Sequence, residues 1–258
     1  MRLFGLIGFP LGHSFSKKYF EEKFLTEDEH DCKFELFPLE DIVEAEYLFK
    51  NTNLHGLAVT IPYKETVIPF LTNTTTAAKE IGAVNCIKIN DKNRIGYNTD
   101  VVGFEKSFTP LLKPHHSKAL VLGTGGASKA VQFVLKKLNI DFALVSRNSN
   151  AEKNIISYNE IDERMMEDYS IIINCTPLGM SPNEEELPNI PYQFITPNHL
   201  LYDLIYKPAK TMFLKEGEKR GATIKNGFEM LVLQAEENWK IWTTPSISPP
   251  FGGRNLED

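Results

Sequence analysis

Residues 119–128 read ALVLGTGGAS, an apolar run that passes directly into a glycine-rich turn. The run predicts a buried strand, followed by a helix that ends near Leu138 and a second strand over residues 142–145. In such a strand–turn–helix unit the first glycine permits a tight turn, and the second lets a pyrophosphate approach the backbone at the helix N-terminus. The stretch therefore predicts a Rossmann-like, doubly wound dinucleotide-binding domain. Its expected cofactor-binding residues are Gly123, Gly125, Gly126, Ala127 and Ser128.

The end of the second strand bears on which dinucleotide binds. An acidic residue there would hydrogen-bond the ribose 2′-hydroxyl of NAD, but this strand ends in Ser146 and Arg147. A carboxylate would repel a 2′-phosphate, whereas Arg147 would attract it. The sequence therefore favours NADP, with NAD still possible if Arg147 is only a surface residue.

Later apolar runs continue the α/β pattern. Residues 171–173, 200–204 and 223–225 predict three more strands, and residues 228–242 predict one amphipathic helix. The tail after Thr243 is rich in Pro, Gly and Ser and is expected to be loosely ordered.

Strands and helices also alternate in the first half of the chain. Residues 3–7, 32–38 and 57–59 predict strands, and residues 17–25 and 42–50 predict helices. This alternation is typical of a parallel α/β unit, so the chain is expected to contain two α/β domains.

Three polar residues of the first half, Lys64, Asn85 and Asp100, stand at the ends of apolar runs. Pro62 suits the first turn of a helix, so Lys64 is expected in that turn, just beyond the carboxyl end of a strand, where open α/β sheets bind ligands. Lys64 could be only a solvated side chain, Asn85 a backbone brace and Asp100 a helix cap. A Lys64–Asp100 pair would instead hold both groups charged and oriented.

Two serines near the N-terminus suggest an anion site. Ser16 occupies the position of a helix N-cap, and Ser14 lies two residues before it in the same loop. Two hydroxyl donors near a helix N-terminus could hold a carboxylate. Farther along, the threonine-rich residues 72–81 predict another helix.

Composition limits the possible functions. The chain has 258 residues, a formal net charge of −6 and 42% hydrophobic residues, which fits a globular protein of one or two domains and disfavours nucleic-acid binding. No apolar run reaches the ~18 residues of a membrane span. Three scattered cysteines indicate reduced thiols and a cytoplasmic location. No metal site is expected, and a monomer and a homodimer are both open.

Together the segments GFPLGHSFS, VTIPYK, GAVN, NTD, GTGGAS, NCTPLGM and GFEMLVLQA resemble the shikimate dehydrogenase family over almost the whole chain. The resemblance implies NADP-linked interconversion of 3-dehydroshikimate and shikimate, a step in aromatic amino-acid biosynthesis. It also implies a substrate domain formed by residues 1–102 and 228–258, and an NADP domain formed by residues 103–227.

The resemblance implies roles for individual residues. Ser14, Ser16 and Tyr206 would bind the substrate carboxylate, and Lys64 would be the acid/base group beside Asp100. Arg147 and Ser146 would bind NADP with the glycine turn. The ring hydroxyls would contact Thr60, Asn85, Asp100 and Gln234, and Thr176 and Gly227 would lie near the cofactor.

Two positions depart from the family pattern. The family often has asparagine where this chain has Ala58, which removes a polar group beside the substrate. The loop after Arg147 lacks a basic residue at the usual spacing, and Lys153 is displaced from it. Two alternatives therefore remain: a quinate/shikimate dehydrogenase that uses NAD, and a non-catalytic dinucleotide-binding sensor.

Overall fold

The computed structural model describes residues 1–12, 14–90 and 93–245, with only the backbone of Lys153. The predicted loosely ordered tail falls mainly on residues 246–258, which lie outside the described ranges.

The first half of the chain forms a mixed sheet flanked by helices. Its strands are β1 (Arg2–Gly8), β2 (Cys32–Pro38), β3 (Leu54–Val59), β4 (Asn73–Thr74), β5 (Cys86–Asn90) and β6 (Asn93–Tyr97). Its helices are α1 (Phe15–Thr26), α2 (Ala45–Leu48), α3 (Thr76–Ile81) and α4 (Asp100–Phe108). The strand order is β2-β1-β3-β5-β6-β4, with β1 parallel to β2 and β3, and β5 antiparallel to β3 and β6.

The second half forms an all-parallel sheet. Its strands are β7 (Lys118–Leu122), β8 (Asp141–Ser146), β9 (Ile155–Ser157), β10 (Ile171–Asn174), β11 (Leu200–Asp203) and β12 (Thr223–Lys225). Its helices are α5 (Gly126–Lys137), α6 (Glu163–Asp168), α7 (Met212–Glu218) and α8 (Phe228–Thr243). The order β12-β11-β10-β7-β8-β9 reverses between β7 and β10, which confirms the predicted doubly wound fold.

Both faces of the second sheet are buried, as parallel sheets require. Ala119 and Val121 of β7 face a cluster that contains α4 and α5, whereas Leu120 and Leu122 face the opposite cluster, which contains α7. This is why residues 119–122 form an uninterrupted apolar run and not an alternating one.

Helix α8 returns to the first sheet. Trp239 and Trp242 pack with Phe4, and the Trp242 indole Nε1 donates to the Ile87 carbonyl at 3.0 Å. Gly56 makes this contact possible, because a Cβ there would lie 2.4 Å from the Trp242 ring. In the described part of the chain, no helix combines the length and apolar character needed to cross a membrane.

Helix α4 links the two sheets. Its residues Val101, Phe104 and Phe108 join the core against the second sheet, together with Met230 of α8. The expected domain boundary after residue 102 therefore falls inside a helix that packs with the second sheet.

The turn that carries Lys64 differs from the prediction. Residues 61–67 form successive turns, with bonds such as Tyr63 N–H to the Thr60 carbonyl, and a short 3₁₀ helix follows at Ile68–Phe70. The expected helix starting at Pro62 was therefore wrong. Lys64 lies instead in an irregular turn beyond the carboxyl end of β3.

Other helix limits also shifted. Helix α1 begins at Phe15 with Ser14 in the N-cap position, so Ser16 lies in the first turn and is not the cap. The helix predicted over residues 72–81 starts only at Thr76, because Thr72 pairs with Arg94 beside the sheet. Residues 42–50 form a 3₁₀ turn and the short helix α2.

We predict that Gly103→Ala destabilises the protein by forcing α4 away from α8. A Cβ at this position would lie 2.5 Å from the Met230 carbonyl oxygen, which is backbone and cannot rotate away. Overpacking of this kind costs about 1–3 kcal/mol, against a helix-propensity gain of roughly 1 kcal/mol for alanine over glycine. Urea unfolding should show a lower free energy for this variant. Gly12→Ala, whose Cβ meets nothing within 4 Å, is the control, and equal stability of the two variants would contradict the packing argument.

Candidate active site

A cavity of about 790 Å³ lies between the two sheets, at the strand reversal of the second. One wall is the turn after β3, including Thr60 and Lys64, and the opposite wall is the glycine-rich turn after β7. Arg147, which follows β8, and Thr176, which lies just beyond β10, also line it. Ligands of doubly wound sheets bind at this position.

The glycine turn has the backbone that the sequence predicted. Gly123 has φ +100°, which favours glycine, and its N–H donates to the Val145 carbonyl at 2.8 Å. Gly125 is the N-cap of α5, and a Cβ on it would meet no atom within 4 Å, so its backbone faces open space. Gly126 and Ala127 begin α5 and also line the cavity.

Ser128 does not line this cavity. Its side chain is fully buried under the turn, and its hydroxyl donates to the Gly125 carbonyl at 2.7 Å. The geometry gives it a bracing contact with the turn, in the close-packed third position of the motif.

One end of the cavity carries Ser146, Arg147 and Tyr158. Arg147 is exposed, and its guanidinium has no hydrogen bond or ion pair within the described residues. Tyr158 was not predicted. It begins a 3₁₀ turn (Tyr158–Glu160) closed by a Ser157–Glu160 capping box, and burial raises the pKa of its hydroxyl. The Ser-x-x-Glu pattern was the available signal for this turn.

Lys64 and Asp100 form an ion pair, with Nζ 2.6 Å from Oδ2. The Lys64 side chain is 17% exposed and that of Asp100 is 10% exposed. The other carboxylate oxygen of Asp100 accepts a hydrogen bond from Asn85 Nδ2 at 2.9 Å. Helix α4 begins at Asp100 itself, so this carboxylate pairs with the lysine and makes no capping bond.

Both the oxygen and the nitrogen of the Asn85 side-chain amide are hydrogen-bonded. Its oxygen accepts from the Thr99 N–H at 2.6 Å, and its nitrogen also donates to Thr99 Oγ1 at 3.0 Å. The Thr99 hydroxyl in turn donates to Asn238 Oδ1 on α8 at 2.7 Å. Thr99 and Asn238 were missed, although Asn238 lies one helical turn after Gln234 and bonds its side chain at 3.3 Å.

A second cavity of about 160 Å³ adjoins the first, and Lys64 and Ala127 line both. Asp100, Tyr206 and Gln234 also line the smaller one. The structure therefore brings the Lys64 amine to the junction of a large and a small cavity.

Gly227 lines the smaller cavity, although the sequence placed it near the cofactor, and it does not line the larger one. A Cβ on Gly227 would lie 2.1 Å from the Leu204 carbonyl oxygen. Glycine is thus required there for close packing of the α8 N-terminus on the loop after β11.

Ser14 and Ser16 are near this region but line neither cavity. The Phe15 ring between them lies 6.0 Å from the Tyr206 ring and 5.8 Å from the Phe228 ring. Among the described residues neither serine hydroxyl has a hydrogen-bond partner. Burial raises the pKa of the Tyr206 hydroxyl, so this group stays a neutral donor.

A buried hydrogen-bond network, which the sequence did not predict, holds Thr176 in position in the cavity wall. Asn174 Oδ1 accepts from the Thr176 N–H at 3.0 Å and from its hydroxyl at 2.7 Å. Asn174 Nδ2 donates to Asp203 Oδ1 at 3.1 Å, and the Thr211 hydroxyl donates to Asp203 Oδ2 at 2.5 Å. Burial raises the pKa of Asp203 to about 6 despite these bonds.

Comparisons with known proteins agree with this architecture. Residues 6–87 match the family model described as shikimate dehydrogenase substrate binding domain. A shikimate dehydrogenase (NADP(+)) of Carboxydothermus hydrogenoformans is 36% identical over 267 residues, covering 96% of this chain and 93% of that protein.

Solved structures are similar throughout their length. Shikimate dehydrogenase from Aquifex aeolicus superposes with a TM-score of 0.84 at 34% identity, covering 95% of this chain and 94% of that one. Shikimate 5-dehydrogenase from Thermus thermophilus, in complex with NADP(H) and shikimate, has a TM-score of 0.82 at 25% identity, with 94% of each chain covered.

We predict that Asp203 makes stability fall as pH rises. Because its folded pKa is raised, to about 6 from 3.8, its contribution is present below the unfolded value and is lost as pH rises through about 6. Relative to Asp203→Asn, the unfolding free energy of the wild type should fall by about 2 kcal/mol between about pH 4.5 and about pH 7.5. Urea titrations at several pH values measure this. Asp141→Asn, at an exposed carboxylate, is the control, and parallel curves for wild type and Asp203→Asn would refute the prediction.

Proposed function

This chain belongs to the shikimate dehydrogenase family, and from that premise we propose that it catalyses the reversible NADP-linked reduction of 3-dehydroshikimate to shikimate, a step in aromatic amino-acid biosynthesis. One observation carries the proposal. A largely buried Lys64–Asp100 pair stands where a cavity large enough for a dinucleotide meets one large enough only for a small molecule.

The smaller cavity is assigned to the substrate. Asp100 and Gln234 line it and are proposed to bind the ring hydroxyls. Thr60, which lines the larger cavity, and Asn85, which lines neither, are proposed to bind these hydroxyls too. Tyr206, Ser14 and Ser16 are proposed to bind the carboxylate. The Phe15–Tyr206 ring contact supports this, because it brings the N-terminus of α1 beside the cavity.

The residues of the larger cavity fit a dinucleotide phosphate. The turn at residues 123–127 offers backbone N–H groups at a helix N-terminus, and Gly125 leaves its approach open. Arg147 and Ser146, at the far end, are proposed to hold the adenosine phosphate of NADP, and Thr176 lines the wall between. NADPH, when bound, supplies the hydride, and NADP⁺ accepts it in the reverse direction.

Lys64 is proposed to be the general acid and base of the reaction. During reduction its ammonium donates a proton to the oxygen that becomes the new hydroxyl, and during oxidation the neutral amine takes it back. Asp100 holds the ammonium in place at 2.6 Å, and Asn85 holds Asp100.

The remaining assignments follow from the same proposal. Residues 1–102 and 228–258 are proposed as the substrate domain, supported by the packing of α8 on the first sheet, and residues 103–227 as the NADP domain. A cytoplasmic location is proposed because all three cysteines are free thiols. The proposed partner is a small molecule.

We predict that Lys64→Ala lowers kcat by about 10²–10⁴-fold, the contribution typical of a general acid/base, while KM for shikimate changes much less. A steady-state assay with shikimate and NADP⁺ measures both constants. Lys106→Ala removes an exposed lysine from α4 and serves as the control. Turnover near wild type in Lys64→Ala would exclude the proposed role, and no turnover in the wild type would favour a dinucleotide-binding sensor.

We predict that Arg147→Gln raises KM for NADP⁺ by about tenfold or more and leaves KM for NAD⁺ nearly unchanged, because charge-assisted contacts to phosphate are worth ~1.5–3 kcal/mol. Arg164→Gln, on α6 away from the cavity, is the control. Equal effects on the two cofactors would argue against a 2′-phosphate contact. Running each assay with shikimate and with quinate also tests the NAD-linked quinate/shikimate alternative.

A further inference from the structure

An ion pair joins the two halves of the molecule at the edge of the larger cavity, which Glu65 lines and Lys129 does not. Glu65 lies in the turn after β3, next to Lys64, and Lys129 lies in the first half of α5. Lys129 Nζ is 2.7 Å from Glu65 Oε2, and the two side chains are 32% and 51% exposed. The pair is therefore accessible to solvent and can open without unpacking a core.

The second oxygen of Glu65 faces the glycine turn. Oε1 lies 4.0 Å from the position that a Cβ on Gly126 would take, and Glu65 itself lines the cavity. Gly126 is the first residue of α5, where free N–H groups and the helix dipole attract negative charge. The carboxylate of Glu65 thus lies close to the first residue of the helix whose N-terminal N–H groups a dinucleotide phosphate would need.

Two anions cannot share this place without repulsion. When a pyrophosphate meets the glycine turn, the Glu65 carboxylate has to withdraw, and its withdrawal breaks the pair with Lys129. The Lys129 ammonium, which does not line the cavity while it is paired, is then free to turn toward the phosphate, and no other anion is paired with it within the described residues.

We propose that Lys129 is a phosphate-binding residue of the cofactor site. In the absence of the dinucleotide its ammonium is paired with Glu65, and the dinucleotide phosphate displaces the Glu65 carboxylate from it. The inference rests on the proposed function, because it takes the larger cavity as the dinucleotide site. Glu65 then weakens cofactor binding and Lys129 strengthens it.

The alternative to a phosphate-binding role is a purely structural ion pair, called a strut below, that only holds the two sheets together. If the ion pair served only to hold the sheets together over the cavity, removing either partner would have the same effect on cofactor affinity. A carboxylate that competes with the phosphate and an ammonium that binds it give effects of opposite sign. The sign of the two single substitutions therefore distinguishes the two arrangements.

The test is calorimetric titration of NADP⁺ into full-length wild type, Glu65→Gln, Lys129→Met and Lys137→Met at low salt. Lys137 lies on the same helix α5 and pairs with Glu105 at 2.7 Å, away from the cavity, so Lys137→Met is matched for charge and helix. Glu65→Gln should lower Kd about threefold, and Lys129→Met should raise it about fivefold, as expected for partly exposed charge contacts. Both effects should shrink at high salt.

Effects of the same sign in Glu65→Gln and Lys129→Met would overturn the inference in favour of a strut, and so would unchanged affinity in either variant. An equal loss in Lys137→Met would overturn it too, because the effect would then belong to net charge. Wild-type protein that binds no NADP⁺ would refute the proposed function and this inference with it. Wild-type binding with the wrong variant pattern would refute this inference alone. Circular dichroism melts verify that each variant is folded.

Discussion

The geometry of the candidate active site depends on the ion pair between Lys64 and Asp100. A largely buried ion pair is stable only when its other hydrogen-bonding atoms are also satisfied, and Asn85 provides that bond to Asp100. Asn85 is held by Thr99, and Thr99 by Asn238 on α8. The docking of the C-terminal helix therefore supports the orientation of a carboxylate near the middle of the chain. The amine of Lys64, in an irregular turn without helical restraint, takes its position from that carboxylate.

The second sheet supplies the opposite wall by a different means. Its strand order reverses between β7 and β10, so the loops after these strands diverge and leave a crevice. Backbone conformation shapes the loop after β7, through the positive φ of Gly123. A side-chain network shapes the loop after β10, where Asn174 and Asp203 hold Thr176 in place. The two walls thus have independent supports, and the Glu65–Lys129 contact joins them where they meet.

Sequence reasoning succeeded where one local pattern dictates one structure. The run at residues 119–122, the turn at Gly123 and the helix ending near Leu138 were all found within a residue or so. It failed where distant contacts override local preference. The helix predicted around Lys64 is a series of turns, and the helix predicted from Thr72 begins four residues later, since Thr72 pairs with Arg94 from another strand.

The sequence by itself determined the doubly wound sheet, the glycine-rich turn after β7 and the identities of the polar groups. Each of these follows from periodicity, glycine conformation or residue type within a short window. Only the tertiary structure decided that Asp100 pairs with Lys64 and makes no helix-capping bond, that Ser128 braces the turn from below, and that Tyr158 reaches the cavity. The reason is physical. A polar side chain takes the partner that chain packing brings within about 3 Å, and no local pattern specifies that partner.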